Sequence, residues 1–230
     1  MRSYSWCVVL FSGLVLPSLT LSAQTPALSN QAETPVIEGL PGPLTWQHPP
    51  AHWKIENGKT LSITAEKQTD WYLSAMDEAP RDNSARLLFK PSDDFMLSAK
   101  VNVDFQSQWD AGVLVLYVND AVWAKFCFEM SMEKKPTIVS VVTRGLSDDS
   151  NSIPINGSSV YLKVNKVGHA IYFFASQDGQ QWSVIRIFSL GENPDLRIGF
   201  SSQSPVGERC TTTFTEIKYL PKKVSPWSDK

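Results

Sequence analysis

Beyond about residue 44 the apolar residues of this 230-residue chain alternate at period two over short runs, and turn clusters separate the runs at fairly regular spacing. Successive side chains of a strand point to opposite faces, so the pattern is that of strands with one face buried. No stretch keeps a helical period beyond two turns. Strands are expected near residues 60–65, 85–89, 95–105, 111–118, 121–131, 136–143, 158–166, 169–176, 181–188, 196–201 and 210–219. The turns are chemically explicit: Asn119-Asp120, Lys166 to Gly168 and Asp178-Gly179 tolerate the left-handed backbone that tight hairpins need. Short strands without helices predict an all-β domain, a sandwich or barrel built from two stacked antiparallel sheets.

The N-terminus reads as an address. Arg2 precedes an apolar run from Cys7 to Leu16, and Leu21-Ser22-Ala23 precedes Gln24, so residues 1–23 form a signal peptide cleaved after Ala23. The alternative, an uncleaved anchor, needs an apolar core of about 20 residues, longer than this one. No later run could span a bilayer. The mature chain is therefore expected to be exported, to the periplasm or beyond, with no membrane association after cleavage. Residues 24–43 are rich in Pro, Ser, Thr, Ala and Gln and read as a disordered leader; the domain covers 44–220, and 221–230 is a tail. Cleavage removes one basic residue and leaves 20 Lys and Arg against 23 Asp and Glu. That weakly acidic balance argues against nucleic acid, which needs a concentrated basic face. Cys127 and Cys210 either pair, should the fold bring their Cα atoms within ~7 Å, or are two separate buried hydrophobes.

The most informative stretch runs from Asp110 to Met130. Its second strand divides cleanly: Val122, Ala124, Phe126, Phe128 and Met130 on one face, Trp123, Lys125, Cys127, Glu129 and Ser131 on the other. The first set packs between the sheets. The second places a Lys and a Glu beside a large aromatic, a surface able to stack on a sugar ring and hydrogen-bond its hydroxyls. The plainer alternative is a solvated sheet face carrying ion pairs. Glu129 and Glu133 share a face, but at ~3.3 Å per residue they stand ~13 Å apart, too far for the ~5–5.5 Å of a retaining glycosidase pair. His48 and His52 have helical metal spacing, yet Pro49-Pro50 forbids the helix, and His169 stands alone. Asp148-Asp149, in the expected loop GLSDDSNS, could accept a cation or simply form a turn. Neither a resident metal nor a cofactor is expected.

The blocks TWQHPPAHWKIENGKTLSITAEKQTDWY, WDAGVLVLYVNDAVWAKFCFE, SVVTRGLSDDS, SQDGQQWSVIRIF and IGFSSQSP, in that order, resemble the family of uncharacterised concanavalin-A-like domains typed by the regulation-of-enolase protein. The resemblance covers residues 44–220. It implies a two-sheet antiparallel jelly-roll sandwich of the lectin and glucanase class, and no settled activity. It also implies a ligand site from Asp70 and Trp71, from Trp123, Lys125 and Glu129 of a W-x-K-x-x-x-E strand, and from Arg144, Ser147 and Asp148 of a TRG-x-SD turn, with Asp110 alongside. Two positions depart from the family pattern, Ala111 where Gln is usual and Asp149 where Trp is usual.

These residues lead to three readings. The first is an exported, non-catalytic carbohydrate-binding or accessory domain whose partner is a glycan or other small hydroxyl-rich ligand. The second is a carbohydrate-active enzyme with Glu129 as general acid or base, tuned by Lys125 and Arg144. The third is a protein-interaction domain. Lys125 and Arg144 lean toward an anionic or hydroxyl-rich ligand. Among the eight tryptophans, Trp71, Trp109 and Trp123 stand beside the acids and bases, and Asp70, Lys125, Glu129 and Arg144 are expected to converge on one depression.

Overall fold

The structure is a computed structural model that describes residues 34–76, 78–192 and 195–225; the expected signal peptide lies outside them. The strands in chain order are β1 (Thr45–Gln47), β2 (His52–Glu56), β3 (Thr60–Glu66), β4 (Trp71–Tyr72), β5 (Arg81–Asp82), β6 (Ala85–Phe89), β7 (Phe95–Asp104), β8 (Ala111–Asn119), β9 (Val122–Met130), β10 (Pro136–Arg144), β11 (Leu146–Pro154), β12 (Ser159–Val167), β13 (Ala170–Ser176), β14 (Ser183–Phe188), β15 (Arg197–Gln203) and β16 (Arg209–Leu220). No helix occurs among the described residues. Two seven-stranded antiparallel sheets form the sandwich, the first in the order β1-β6-β15-β8-β9-β10-β11 and the second β14-β13-β12-β7-β16-β3-β2.

The expected hairpin turns are present, and their side chains explain them. Asn119 Oδ1 accepts the Ala121 N–H at 3.0 Å between β8 and β9. Asp178 Oδ1 accepts the N–H groups of Gln180 and Gln181, and Gly179 takes φ of 74° between β13 and β14. Such a φ suits glycine, which has no Cβ to clash.

Alternation then sorts the side chains into layers. Leu114 and Leu116 of β8, Ala124, Phe126 and Phe128 of β9, and Ile198 and Phe200 of β15 meet Leu97, Val101, Leu162, Phe173 and Phe214 of the second sheet in the main core. Gly112 stands where the sheets approach closely: a Cβ there would meet Thr212 Cγ2 at 2.5 Å and Val101 Cγ1 at 2.6 Å. The opposite, outer face of the first sheet is also apolar, with Val113, Val115, Tyr117, Trp123, Cys127, Val139 and Val141 in a second cluster. A segment carrying the small β4–β5 sheet lies over part of it, so the domain has a third, local layer. This explains why β8 is apolar on both faces although its neighbours are antiparallel.

Five strands escape the period-two reading: β1, β2, β4, β5 and β11. β11 is the instructive case, because most of it lies in GLSDDSNS, which was expected to be a loop. It pairs along β10 on one side only, as a mostly exposed edge strand, and polar side chains are what an edge strand carries. The leader expected through residue 43 also ends earlier. Ile37 is buried in the main core, and the Glu38 N–H donates to the Gly58 carbonyl at 2.7 Å. Cys127 and Cys210 are both buried free thiols, one on the outer face of the first sheet and one in the main core, so they are separate small hydrophobes.

Candidate functional site

The outer face of the first sheet can be read as rows running across its strands. Glu129 of β9 lies opposite Ala111 of β8 and Thr137 of β10, and Ala111 lies opposite Gln203 of β15. Two residues along, Cys127 lies between Val113 and Val139, and the next row runs Gly199, Val115, Lys125, Val141, Asp149. The last row is Arg197, Tyr117, Trp123, Thr143, Ser147. Four of the expected residues therefore share this face, Trp123, Lys125, Glu129 and Ser147, and the covering segment brings two more, Asp70 and Trp71.

Lys125 is the hub. Its Nζ lies 3.4 Å from Asp70 Oδ1 and donates to Gln203 Oε1 at 3.0 Å, and the side chain is almost wholly buried. Burial opposes the ammonium charge, but the nearby acidic groups, Asp70 first, outweigh it and hold the group above the usual lysine value. Asp70 Oδ1 also accepts the Trp71 N–H at 2.7 Å, and its Oδ2 faces Arg81 Nη1 at 3.8 Å. Gln203 in turn donates to the Trp109 carbonyl at 3.2 Å. The covering segment is thus fastened to the sheet at Lys125. It is fastened again at the edge strand, where the Leu73 N–H donates to Ser147 Oγ at 3.0 Å and the Ser147 N–H to the Leu73 carbonyl at 2.8 Å.

Glu129 is 9% exposed and makes no side-chain hydrogen bond among the described residues. Burial is the largest influence on its carboxyl, which is pushed up to about 8; Lys125 pulls the other way, and Asp70 and Asp149 add to the rise. At neutral pH it is mostly a neutral acid. Lys125 does not hold it ionised, because removal from water and two nearby carboxylates outweigh one lysine already engaged elsewhere. Burial also raises the Cys127 thiol, with Lys125 too weak to offset it, so the cysteine is inert.

Several expected site residues are not in the cluster. Trp123 is fully buried beneath Trp71, ring centroids 3.9 Å apart, so neither presents a stacking platform. Arg144 lies seven residues along β10 from Thr137, about 23 Å at ~3.3 Å per residue, and donates to the Ser189 carbonyl. Asp148 and Asp149 point to opposite faces because they are neighbours on a strand. Asp148 pairs with Arg186 Nη2 of the second sheet at 3.2 Å, while Asp149 is the one on the Lys125 row. A shared cation at that pair is thereby ruled out. Asp110 is fully buried and occupied: its carboxylate accepts from Gln106 N, Ser107 N and Ser204 Oγ at 2.7–2.8 Å and organises the loop before β8. Ser147 binds Thr143 Oγ1 at 2.9 Å and Leu73, a fastening role.

Sequence reasoning missed Gln203, Thr137 and Tyr72, and weighed Asp149 only as half of a cation-binding or turn pair with Asp148. Tyr72 is half-buried on the covering segment, and its hydroxyl is raised by burial first and by Asp149 next, with Lys125 opposing. A hollow of about 400 Å³ lined by Gln68, Arg81, Asp82 and Asn83 abuts Asp70 through Arg81 and Asn83.

A family described as "Protein of unknown function (DUF1349)" matches residues 46–222. The chain is 24% identical over 173 residues to "Regulation of enolase protein 1" of Saccharomyces cerevisiae, covering 75% of this chain and 86% of that one. Among solved structures, a functionally unknown protein from Saccharomyces cerevisiae superposes with a TM-score of 0.72 at 20% identity, covering 79% of this chain and 97% of that chain. The GH43 BlXynB protein from Bacillus licheniformis gives a TM-score of 0.59 at 14% identity over 74% of this chain and 34% of that chain. At these identities the structures speak for the sandwich fold alone.

Proposed function

The chain belongs to the DUF1349 family of unknown function, and from that premise we propose that it is an exported, non-catalytic carbohydrate-binding domain whose saccharide docks at the Glu129 end of the first sheet's outer face. The observation that carries this reading is Glu129, a residue nine-tenths buried whose carboxyl makes no side-chain hydrogen bond among the described residues. Its oxygens are not among the buried atoms left without a partner, so they reach solvent, where a hydroxyl-rich ligand would meet them. Thr137 and Ala111 flank it on the same row, and exposed Asp149 and Asn151 stand toward the edge strand on the same face. Tyr72, half-buried beside Asp149, offers an apolar ring where Trp123 cannot. The sandwich shared with a GH43 chain is consistent with an accessory role. Export rests on the signal peptide read from residues 1–23.

The test is a glycan array probed with the mature chain, followed by titration of its best saccharide. Glu129→Ala and Tyr72→Ala should each weaken binding about tenfold or more, equivalent to ~1.4 kcal/mol. A blank array with folded protein would overturn the reading. Collection of the chain in the cytoplasm with residues 1–23 still attached would overturn export.

One observation favours the enzyme reading. A carboxyl neutral at pH 7 suits a general acid, as in glycosidases. That reading requires polysaccharide turnover, seen as reducing sugar and lost in Glu129→Gln; the binding reading expects none.

A further inference from the structure

The charges around Glu129 select among saccharides. The Lys125 ammonium is committed to Asp70 and Gln203, and Arg81 faces the other oxygen of Asp70. Both cations therefore meet at Asp70, one of the two carboxylates that act on Glu129; the other is Asp149. Lys125 acts on Glu129 without pairing with it, and no cation lies in salt-bridge contact with its carboxyl among the described residues. An anionic sugar would find no uncommitted cation here and two carboxylates against it, so the lean toward an anionic ligand, which needed Arg144 as well, does not survive. A neutral sugar would leave Glu129 protonated. A ligand cation would supply the missing counter-charge and form charge-assisted hydrogen bonds, roughly twice as strong as neutral ones. Ser131, two residues beyond Glu129, has a buried Oγ that lacks a partner at this end of β9. Among the described residues no trio of His, Cys, Asp and Glu side chains converges to hold a metal ion, so the cation that fits is an organic one.

We propose that this face takes amino sugars: a saccharide whose primary ammonium donates to the Glu129 carboxylate while Thr137 and Asn151 hold neighbouring hydroxyls. This rests on the saccharide-binding reading above and names the class of sugar. Because Glu129 holds its proton in the free protein, binding the ammonium expels that proton to solvent, and the complex gains one ion pair per proton released.

Calorimetric titration of the mature chain at pH 6, where a sugar amine is charged, tests this with three probes: a glucosamine trimer, its N-acetylated counterpart and a glucose trimer. Each is measured in two buffers of different ionisation enthalpy. The glucosamine trimer should bind at least tenfold tighter than either neutral trimer, with a buffer-dependent enthalpy equivalent to about one proton released. In Glu129→Gln both the preference and the buffer dependence should vanish. Asp149→Asn, an exposed change that leaves the core untouched, should cut the preference several-fold. Neutral trimers bound as tightly as the glucosamine trimer would overturn the amino-sugar inference and leave saccharide binding standing. Binding of none of the three would overturn both, as would an unchanged preference and proton release in Glu129→Gln for this inference alone.

Discussion

The indole of Trp71 lies on that of Trp123, centroids 3.9 Å apart and planes 22° apart, and Arg86 stacks on Trp71 from 4.3 Å. A ring that sequence alone presents as a binding platform is thus the floor of a packed layer. The stack joins the covering segment to the sheet, and it works with the Lys125 and Ser147 fastenings to either side.

Trp123→Ala should therefore behave as a core truncation. Removing a fully buried aromatic costs ~3–5 kcal/mol, so the urea midpoint should fall sharply. Trp123→Phe, which keeps a flat ring under Trp71, should lose less and retain saccharide affinity within about threefold. A selective loss of binding in a fully stable Trp123→Phe protein would restore the platform reading.

The Asp70–Lys125 pair should respond asymmetrically. Asp70→Ala leaves a buried ammonium with Gln203 as its hydrogen-bond partner, and breaking a buried pair costs ~3–5 kcal/mol, toward the low end here because Asp70 is partly exposed. Lys125→Met removes the buried charge, and Asp70 keeps Arg81 nearby, so it should cost less. The double variant should be more stable than Asp70→Ala alone, read from urea unfolding of all four proteins. Equal and additive losses would count against the pair as described.

What the sequence disclosed and what it hid follow from how local each signal is. The face division of β9 was legible because Phe126 and Phe128 alternate with Lys125 and Glu129 within one strand. β11 was not, because its Ser, Asp and Asn residues favour turns, and only pairing with β10 makes them a strand. That hidden strand also decides which acid faces the site: on a loop Asp148 and Asp149 are equivalent, whereas on a strand Asp149 alone joins the Lys125 row. The partnership of Lys125 with Gln203 joins residues 78 positions apart and leaves no trace in spacing. The burial of Trp123 likewise depends on a segment about fifty residues earlier in the chain.

Gly112 predicts a steric limit on the sandwich. A methyl group there would press on Thr212 and Val101 of the facing sheet, and neither is the free end of a long side chain. Gly112→Ala should force the sheets apart at that point and cost ~1–3 kcal/mol, the usual penalty of overpacking. A thermal melt unchanged from the parent would show that the inter-sheet contact is looser than drawn.

The proton affinity of Glu129 makes stability depend on pH in a definite direction. Its carboxyl titrates near 8 in the folded chain, whereas a carboxyl in the unfolded chain titrates near the ordinary value of 4.5. The folded state therefore holds a proton that the unfolded state releases, and the stabilisation this gives is complete below about pH 4.5 and lost as pH rises toward 8. Each tenfold difference in proton affinity is worth ~1.4 kcal/mol, so the change across that window amounts to a few kcal/mol. Glu129→Gln carries no such proton. The variant should gain on the parent by at least ~1 kcal/mol between pH 5 and pH 8, measured as the difference in urea unfolding free energy at the two values. A parent and a variant whose stabilities run parallel across that range would mean that Glu129 is ionised in the fold, and the neutral acid at the centre of the site would have to be given up.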